Sequence, residues 1–154
     1  MRAPPFQALL DDHRQDVYRF LVAAVGPVEA DDCFQETFLA ALRAYPRIRD
    51  ASNLRAWVLT IAHNKAIDAH RSRGRREIPV ESVPESASEP SPDGEPALWG
   101  AVRELPLKQR AAILHRYVND LPYAEIAKIV GCSEEAARQN VRAGLSNLRG
   151  AWSR

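Results

Sequence analysis

The chain has 154 residues and a formal net charge of +1, from 21 Lys and Arg against 20 Asp and Glu. This balance excludes a protein that holds nucleic acid by bulk positive charge, although it allows local basic patches. The composition is rich in Ala, Leu, Arg and Glu and poor in strand-forming residues, and it therefore predicts a helical protein.

Charge is distributed unevenly along the chain and divides it into three parts. Residues 1–76 carry 12 basic and 9 acidic groups, and residues 97–154 carry 9 and 5. Residues 77–96 between them hold six acidic residues, five prolines and four serines but no basic residue. Such a segment cannot bury enough apolar surface to fold, and its charges repel one another. We therefore predict an all-α protein in which two small helical domains are joined by a flexible acidic linker.

Residues 1–76 are predicted to form a helical bundle. The apolar periodicity of a first helix stops at a break formed by Gly26 and Pro27. A second helix is predicted over residues 31–45, and a third, after a polar loop, over about residues 53–73.

One side of the third predicted helix carries an unusual set of groups. At about 100° per residue, an aromatic ring, two amides, a hydroxyl and a cation share one stripe, which consists of Asn53, Trp57, Thr60, Asn64 and Arg71. These groups can stack on bases, hydrogen-bond to base edges and hold phosphates, so the stripe favours a nucleic-acid surface. The stripe alone leaves an alternative open, in which Trp57 belongs to the core and the arginines lie at a solvated helix end.

Residues 97–154 are predicted to end in a helix-turn-helix. A short amphipathic helix over residues 123–130 is followed by Gly131, which can adopt the left-handed conformation that ends a helix. Ser133 is predicted to cap the next helix, and Arg138, Arg142 and Arg149 fall on one side of it. The alternative is an ordinary helical hairpin whose arginines are merely solvated.

Two segments make a family resemblance specific. Residues 31–75 include QETF at 35–38 and RAWVLTIAHN at 55–64, and residues 105–149 include YAEIA at 123–127. Together the two segments resemble the extracytoplasmic-function (ECF) sigma factors of the sigma-70 family, which are small two-domain promoter-recognition subunits of bacterial RNA polymerase. The resemblance implies a region 2-like domain at 1–76, a linker at 77–96 and a region 4-like helix-turn-helix domain at 97–154.

The resemblance also implies a function for each surface of the first domain. The second helix would bind the β′ coiled coil of core polymerase through its polar side, which holds Asp32, Gln35, Glu36, Leu39 and Arg43. The third helix and the loop before it would capture the −10 promoter element as it melts, with contacts from Ile48, Arg49, Ser52, Asn53, Trp57, Thr60, Asn64, Lys65 and Arg71. Ile48 departs from the family, which often has phenylalanine there.

In the second domain the resemblance implies recognition of the −35 element in the major groove. The matching positions are Ser133, Arg138, Gln139, Asn140, Arg142 and Arg149. Ala143, Gly144 and Asn147 stand where the family is often basic or helix-favouring, so weaker −35 binding is expected. The implied partners are core polymerase, including its β flap, promoter DNA and an anti-sigma protein, with no cofactor.

Two other classes of protein are alternatives to this interpretation. A stand-alone helix-turn-helix regulator would shift duplex DNA without polymerase. An enzyme would need more than His63, Asp68 and His70, which have no further ligand pattern near them, and no catalytic residue is expected. Cys33 and Cys132 lack metal-ligand spacing and are expected to be reduced, with no metal bound. No apolar stretch is long enough to span a bilayer, and a cytoplasmic protein is expected.

Overall fold

The computed structural model describes residues 3–76 and 96–152, and the described chain is helical, as the sequence predicts. The first module contains α1 (Phe6–Val25), α2 (Pro27–Ala44), a short 3₁₀ turn (Tyr45–Arg47) and α3 (Leu54–Arg76). The three long helices pack on one another around apolar side chains that include Phe20, Leu21, Phe38, Val58 and Leu59. Residues 77–95, nearly all of the predicted acidic linker, lie outside the described residues.

The helices described in the second module are shorter than those of the first, apart from the last one. They are α4 (Pro96–Arg103), α5 (Leu107–Ile113), a π-helical segment (Leu114–Val118), α6 (Tyr123–Val130) and α7 (Glu134–Trp152). The π-helical segment follows α5 without a break. The chain then turns at Asp120, which has φ 54°, and again at Gly131, which has φ 79° and ends α6 in the predicted left-handed conformation.

The second helix begins four residues before the predicted start, because the break between α1 and α2 is a single residue. Gly26 has φ 88°, which reverses the chain without a loop. Pro27 then occupies the first helical position, where its fixed φ suits a helix and its missing N–H costs no hydrogen bond. Sequence reasoning treated both residues as a helix break, whereas they join two helices directly.

The two modules pack against each other and share one continuous hydrophobic core, a feature that sequence analysis did not predict. α1 contacts α4 and the π-helical segment, while α3 contacts α6. At the centre, His115 of the second module is fully buried, and its ring stacks on Phe20 with a centroid distance of 4.8 Å. On its other side, Nε2 of His115 lies 3.2 Å from Nδ1 of His63 in α3.

A hydrogen-bond chain fixes the state of these two imidazole rings. Nδ2 of Asn119 lies 3.0 Å from Nδ1 of His115 and can only donate, so this ring nitrogen accepts. Nε2 of a neutral His115 therefore carries the proton and donates to His63. Burial lowers the pKa of His115 to about 3, with a further contribution from His63, and burial also lowers the pKa of His63. Both rings are thus neutral in the packed protein.

Arginines add polar contacts between the modules. Arg103 and Arg110 donate to the carbonyl oxygens of Val22 and Ala24, at 3.4 and 3.3 Å. These carbonyls lie in the last turn of α1, which has no basic residue of its own, so the second module supplies the positive charge that the helix dipole favours there. In α3, Arg55 donates to the carbonyl of Asn119 at 2.6 Å and pairs with Asp16 at 2.9 Å.

Gly144 allows α5 and α7 to approach closely. It is buried in α7, and a Cβ at this position would overlap Cδ1 of Ile113 and lie 3.2 Å from Cγ1 of the same residue. This packing explains a glycine at a position where a longer side chain would favour the helix. Asn147, one turn further along α7, donates to Oε1 of Gln109 at 2.7 Å and strengthens the same contact.

We predict that Gly144→Ala is less stable than Gly150→Ala by about 1–3 kcal/mol, because the added methyl group must displace the end of the buried Ile113 side chain. Thermal unfolding followed by circular dichroism measures the effect. The matched control is Gly150→Ala in the same helix, where a Cβ meets nothing within 4 Å. The control should melt at or slightly above the wild-type temperature, because alanine favours helix over glycine. Equal melting temperatures for the two variants would contradict this account of the packing.

We predict that acid weakens the native structure through His115. Its folded pKa of about 3 lies below the ordinary value of 6.5, so between these values the unfolded chain binds more protons at this site. The stability contributed by the neutral ring is therefore complete above pH 6.5 and is lost as the pH falls towards 3. The melting temperature should drop between pH 7.5 and pH 5, and the drop should be smaller in His115→Leu. His70→Leu, at an exposed position, should keep the wild-type pH dependence, and an identical drop in all three proteins would refute the role of His115.

Candidate docking face and nucleic-acid surfaces

The docking face is the name used here for Asp32, Gln35, Glu36, Leu39 and Arg43 on α2. All five side chains are exposed, which confirms the predicted orientation of the helix. The opposite side of α2 is fixed in the core by Phe38 and by Thr37, whose hydroxyl donates to the carbonyl of Cys33 at 2.7 Å. Leu39 is 51% exposed, and a single exposed leucine is ordinary on a protein surface, so its significance depends on its neighbours.

Sequence reasoning missed a second exposed leucine beside this face. Leu42 is also 51% exposed and lies three residues after Leu39, so both leucines are on one side of α2. The apolar periodicity of the helix assigned no role to this position. Its exposure extends the docking face with a second apolar contact.

An acidic groove borders the docking face on the side of α3. It has a volume of about 350 Å³, and its lining includes Glu29, Asp32, Glu36 and Asp68. Cys33 lies at the base of this groove, where burial and the surrounding carboxylates raise the pKa of its thiol to about 11. The thiol is therefore protonated and unreactive, and the negative charge of the groove is suited to a cationic partner.

The loop before α3 is ordered by its own hydrogen bonds. Ile48 is half-buried and its N–H donates to the carbonyl of Tyr45 at 3.1 Å, while Arg49 and Ser52 are exposed. The backbone N–H of Ser52 donates to Asp50 at 2.9 Å, and hydrogen bonds from Ser52 hold the pKa of this carboxyl below its ordinary value. The loop thus presents polar groups in a defined turn.

The stripe on α3 is divided between packed and exposed residues. Trp57 is half-buried against the core, with its ring centroid 6.1 Å from that of Tyr45, so the alternative that places it in the core is partly right. Thr60 is half-buried and donates to the carbonyl of Ala56 at 2.8 Å. Asn53, Asn64 and Arg71 are exposed. The side chain available to a ligand at the centre of the stripe is therefore the amide of Asn64.

Asn53 and Lys65, both predicted to contact the −10 element, have further roles in the packing of α3. Asn53 caps α3, because its Oδ1 accepts from the N–H of Ala56 at 3.1 Å. Lys65 is half-buried, and successive residues of a helix point about 100° apart, so it lies away from Asn64 and towards α2. Its carbonyl is 3.9 Å from the Sγ of Cys33 in that helix. The structure therefore does not bring Lys65 onto the stripe.

Helix α7 begins as predicted. Oγ of Ser133 accepts from the N–H of Ala136 at 3.0 Å, which confirms the N-cap. Ala137 and Val141 are buried on one side, while Arg138, Gln139, Arg142 and Arg149 are exposed on the other and Asn140 is half-buried between them. The exposed side of α7 therefore carries the cations and amides that contact phosphates and base edges in a major groove.

Arg138 is already engaged within the second module. It pairs with Glu134 at 3.2 Å and with Glu135 at 3.9 Å, and its guanidinium lies 5.2 Å from the ring centroid of Tyr123. These exposed pairs contribute little to stability. They hold the guanidinium beside the first turn of α7 and the ring of Tyr123, and a DNA phosphate or guanine edge would have to replace the carboxylates.

No group of three or more His, Cys, Asp or Glu side chains in residues 3–76 and 96–152 could hold a metal ion, and no helix in these ranges is long and apolar enough to cross a membrane. The two histidines that an enzyme would use, His63 and His70, have different surroundings. His63 is buried against His115, whereas His70 is exposed.

Comparison with known proteins matches both modules. The family model of sigma-70 region 2 matches residues 9–76, and that of sigma-70 region 4 matches residues 96–148. The chain is 35% identical over 156 residues to the ECF RNA polymerase sigma factor SigD of Mycobacterium tuberculosis H37Rv, covering 92% of this chain and 74% of SigD. It is 32% identical to SigC of M. tuberculosis CDC 1551, covering 88% of this chain and 76% of SigC.

A solved structure has the same fold over nearly the whole chain. The sigma factor RpoE from Bartonella quintana, in complex with the anti-sigma factor NepR, superposes with a TM-score of 0.80 at 25% identity. The match covers 96% of this chain and 96% of that one.

Proposed function

Because the chain belongs to the ECF sigma factors of the sigma-70 family, we propose that it directs promoter-specific initiation through three separate surfaces, the docking face on α2, the loop and stripe of α3, and the exposed side of α7. Sigma factors are initiation factors rather than enzymes. The observation that chiefly supports the proposal is that each of the three surfaces presents exposed polar side chains while the opposite sides of the same helices are fixed in one core.

The docking face is proposed to bind the β′ coiled coil of core polymerase. Exposed carboxylates and two half-exposed leucines, Leu39 and Leu42, combine charge for specificity with apolar area for affinity. The bordering acidic groove adds Glu29 and Asp68 to the negative field around Glu36. A helical partner with basic side chains fits this combination, and the coiled coil is such a partner in the family.

The first module is proposed to hold the melted −10 element between the loop at residues 48–53 and the α3 stripe. An exposed amide at Asn64 can satisfy the edge of a base only after the base has left its pair. Trp57 supports this surface from a half-buried position, and the exposed Arg71 is proposed to contact a phosphate. Ile48 offers an aliphatic wall instead of a stacking ring, so we expect this loop to discriminate among bases by shape more than by stacking.

The second module is proposed to bind the −35 element as an intact duplex, with Arg138, Gln139, Asn140 and Arg142 near base edges and Arg149 near the backbone. Gly144 and Asn147 serve the contact with α5, as described above, and so add no positive charge to α7. Fewer cations mean fewer phosphate contacts and a smaller salt dependence. The domain division at residues 76 and 97, with the acidic segment as linker, is part of the same proposal.

The remaining partners follow from the same function. Core polymerase supplies the catalytic chemistry, so no catalytic residue is proposed in this chain, and its β flap is the expected contact of the second module. Because the Bartonella quintana relative was solved with an anti-sigma factor, we propose such a regulator for this protein too. Because a protein with this function acts with polymerase on chromosomal DNA, we expect it in the cytoplasm.

We predict that Glu36→Lys weakens binding to core polymerase at least tenfold, because it reverses a charge at the centre of the docking face. The fold should be unaffected, since the side chain is exposed. Affinity is measured by pull-down or by fluorescence titration with labelled protein. Glu104→Lys, an equal charge change at an exposed residue of the second module, is the control and should bind as wild type does. Equal affinity of both variants would show that α2 does not dock through this face.

We predict that Asn64→Ala and Arg142→Ala fail on different templates. Arg142→Ala should lose about 1–3 kcal/mol of promoter affinity, and this loss should vanish once the −35 sequence is scrambled. Asn64→Ala should stay defective on that scrambled template and also on DNA whose −10 segment is already unpaired. Initiation by both variants and wild type is compared on the three templates. Full recovery of Asn64→Ala on unpaired DNA would mean that the amide assists melting instead of contacting a base.

A further inference from the structure

The loop before α3 is fixed at its two ends and not by the core. Residues 42–55, all of which the structure describes, include none that is buried, so no side chain in this stretch anchors the loop in the core. At its far end the loop is fixed by Asn53, the cap of α3. At its near end the fixed point is Tyr45, a half-buried residue of the 3₁₀ turn.

Tyr45 contacts three separate parts of the first module. Its carbonyl accepts from the N–H of Ile48 at 3.1 Å, which sets the direction in which the loop leaves the 3₁₀ turn. Its ring lies with its centroid 6.1 Å from that of Trp57 in α3. The same ring meets Phe6, the first residue of α1, edge to face with a centroid distance of 5.4 Å. This is a preferred geometry for an aromatic pair. Tyr45 therefore ties the start of α1 to the loop and to the stripe.

The hydroxyl of Tyr45 adds a directional contact to these ring contacts. It donates to the backbone carbonyl of Pro4. The proline rings restrict φ at Pro4 and Pro5, and a residue that precedes a proline is held in an extended conformation. The carbonyl of Pro5 in turn accepts from the N–H of Ala8 at 2.9 Å in the first turn of α1. The acceptor for Tyr45 is thus a carbonyl with little freedom to move, and it holds the ring in one orientation.

The position of Asn64 does not depend on these contacts. Asn64 lies seven residues after Trp57, about 10 Å further along α3. Between them the helix is held by Val58 and Leu59, which are fully buried in the core of the first module. A change at Tyr45 should therefore move the loop and the nearby end of the stripe while leaving Asn64 in place.

We propose that Tyr45, held by Phe6 and the carbonyl of Pro4, is a positioning residue for recognition of the −10 element, because it sets where Ile48 and Trp57 meet an unpaired base. The inference rests on the promoter function proposed above and adds residues to it. Pro4 and Phe6 precede residues 9–76, the range that the sigma-70 region 2 model matches. A wall can select a base by shape only if it is held to within about 0.5 Å. Loss of these contacts should therefore weaken base selection at the loop without weakening the binding of polymerase.

The test uses the full-length protein in complex with bacterial core polymerase. Tyr45→Phe removes the hydroxyl and keeps the ring, whereas Phe6→Leu removes the aromatic pair and keeps an apolar side chain. Tyr18→Phe is the matched control, because Tyr18 is a half-buried tyrosine of the same module whose ring pairs edge-on with Phe34 at 5.9 Å. Asn64→Ala serves as the reference for a base contact elsewhere on the stripe.

Each complex is mixed with a library of duplexes whose −10 segment is unpaired and randomised in the non-template strand. Sequencing of the bound DNA gives the preference for each base at each position. Titration with labelled core polymerase gives the affinity for that partner, and circular dichroism verifies the helix content.

The wild type and Tyr18→Phe should select the same bases. Tyr45→Phe and Phe6→Leu should each lower the preference ratio at least about threefold at one or two positions, since each loses one contact of the aromatic cluster. These positions should differ from the one at which Asn64→Ala loses its preference. Affinity for core polymerase and helix content should be those of the wild type.

Unchanged base preference in either variant would overturn the positioning role, and so would a loss spread equally over every position, including that of Asn64. If Phe6→Leu loses helix content, Tyr45→Phe alone decides between these outcomes. Absence of any base preference in the wild-type complex would instead refute the −10 function proposed above.

Discussion

The arrangement of both modules depends on one neutral histidine ring that crosses from the second module into the first. His115 lies between the ring of Phe20 and the ring of His63, and Asn119 fixes which of its nitrogens carries the proton. A charged ring in this place would be desolvated without a counter-ion, which is why its pKa is so low. The contact therefore joins the modules only as long as the imidazole remains neutral and oriented.

The contact between His115 and His63 also fixes the orientation of α3. One side of this helix packs in the first module, a second side contacts the second module, and a third side presents the stripe. Val58 and Leu59 are buried in the core of the first module, while His63 and Arg55 face the second module. The side that remains is the one that presents Asn64. A rigid helix held on two sides keeps the third side in a defined position, which is what recognition of an unpaired base requires. α2 is held on one side only. Its buried residues pack in the core, so the docking face on the opposite side is exposed.

Local features were predictable from sequence because local residues determine them. Ser133 caps α7 and Gly131 ends α6 in the left-handed conformation, both through contacts within a few residues. The exposed side of α2 followed from helical periodicity in the same way. Leu42 was missed because periodicity does not show whether a leucine beside the apolar stripe is covered, and only the packing shows that half of its surface is exposed. The contact of His63 with His115 joins residues 52 positions apart, and no periodic pattern encodes such a pair.

Dependence on polymerase is the property that separates a sigma factor from a stand-alone helix-turn-helix regulator, and the near-neutral charge of the chain favours it. The most direct measurement is run-off transcription from a genomic fragment library with bacterial core polymerase, with and without the protein. The account predicts discrete start sites that appear only when both are present, preceded by common −10 and −35 sequences. Absence of specific initiation, together with tight binding of the protein alone to duplex DNA, would contradict it.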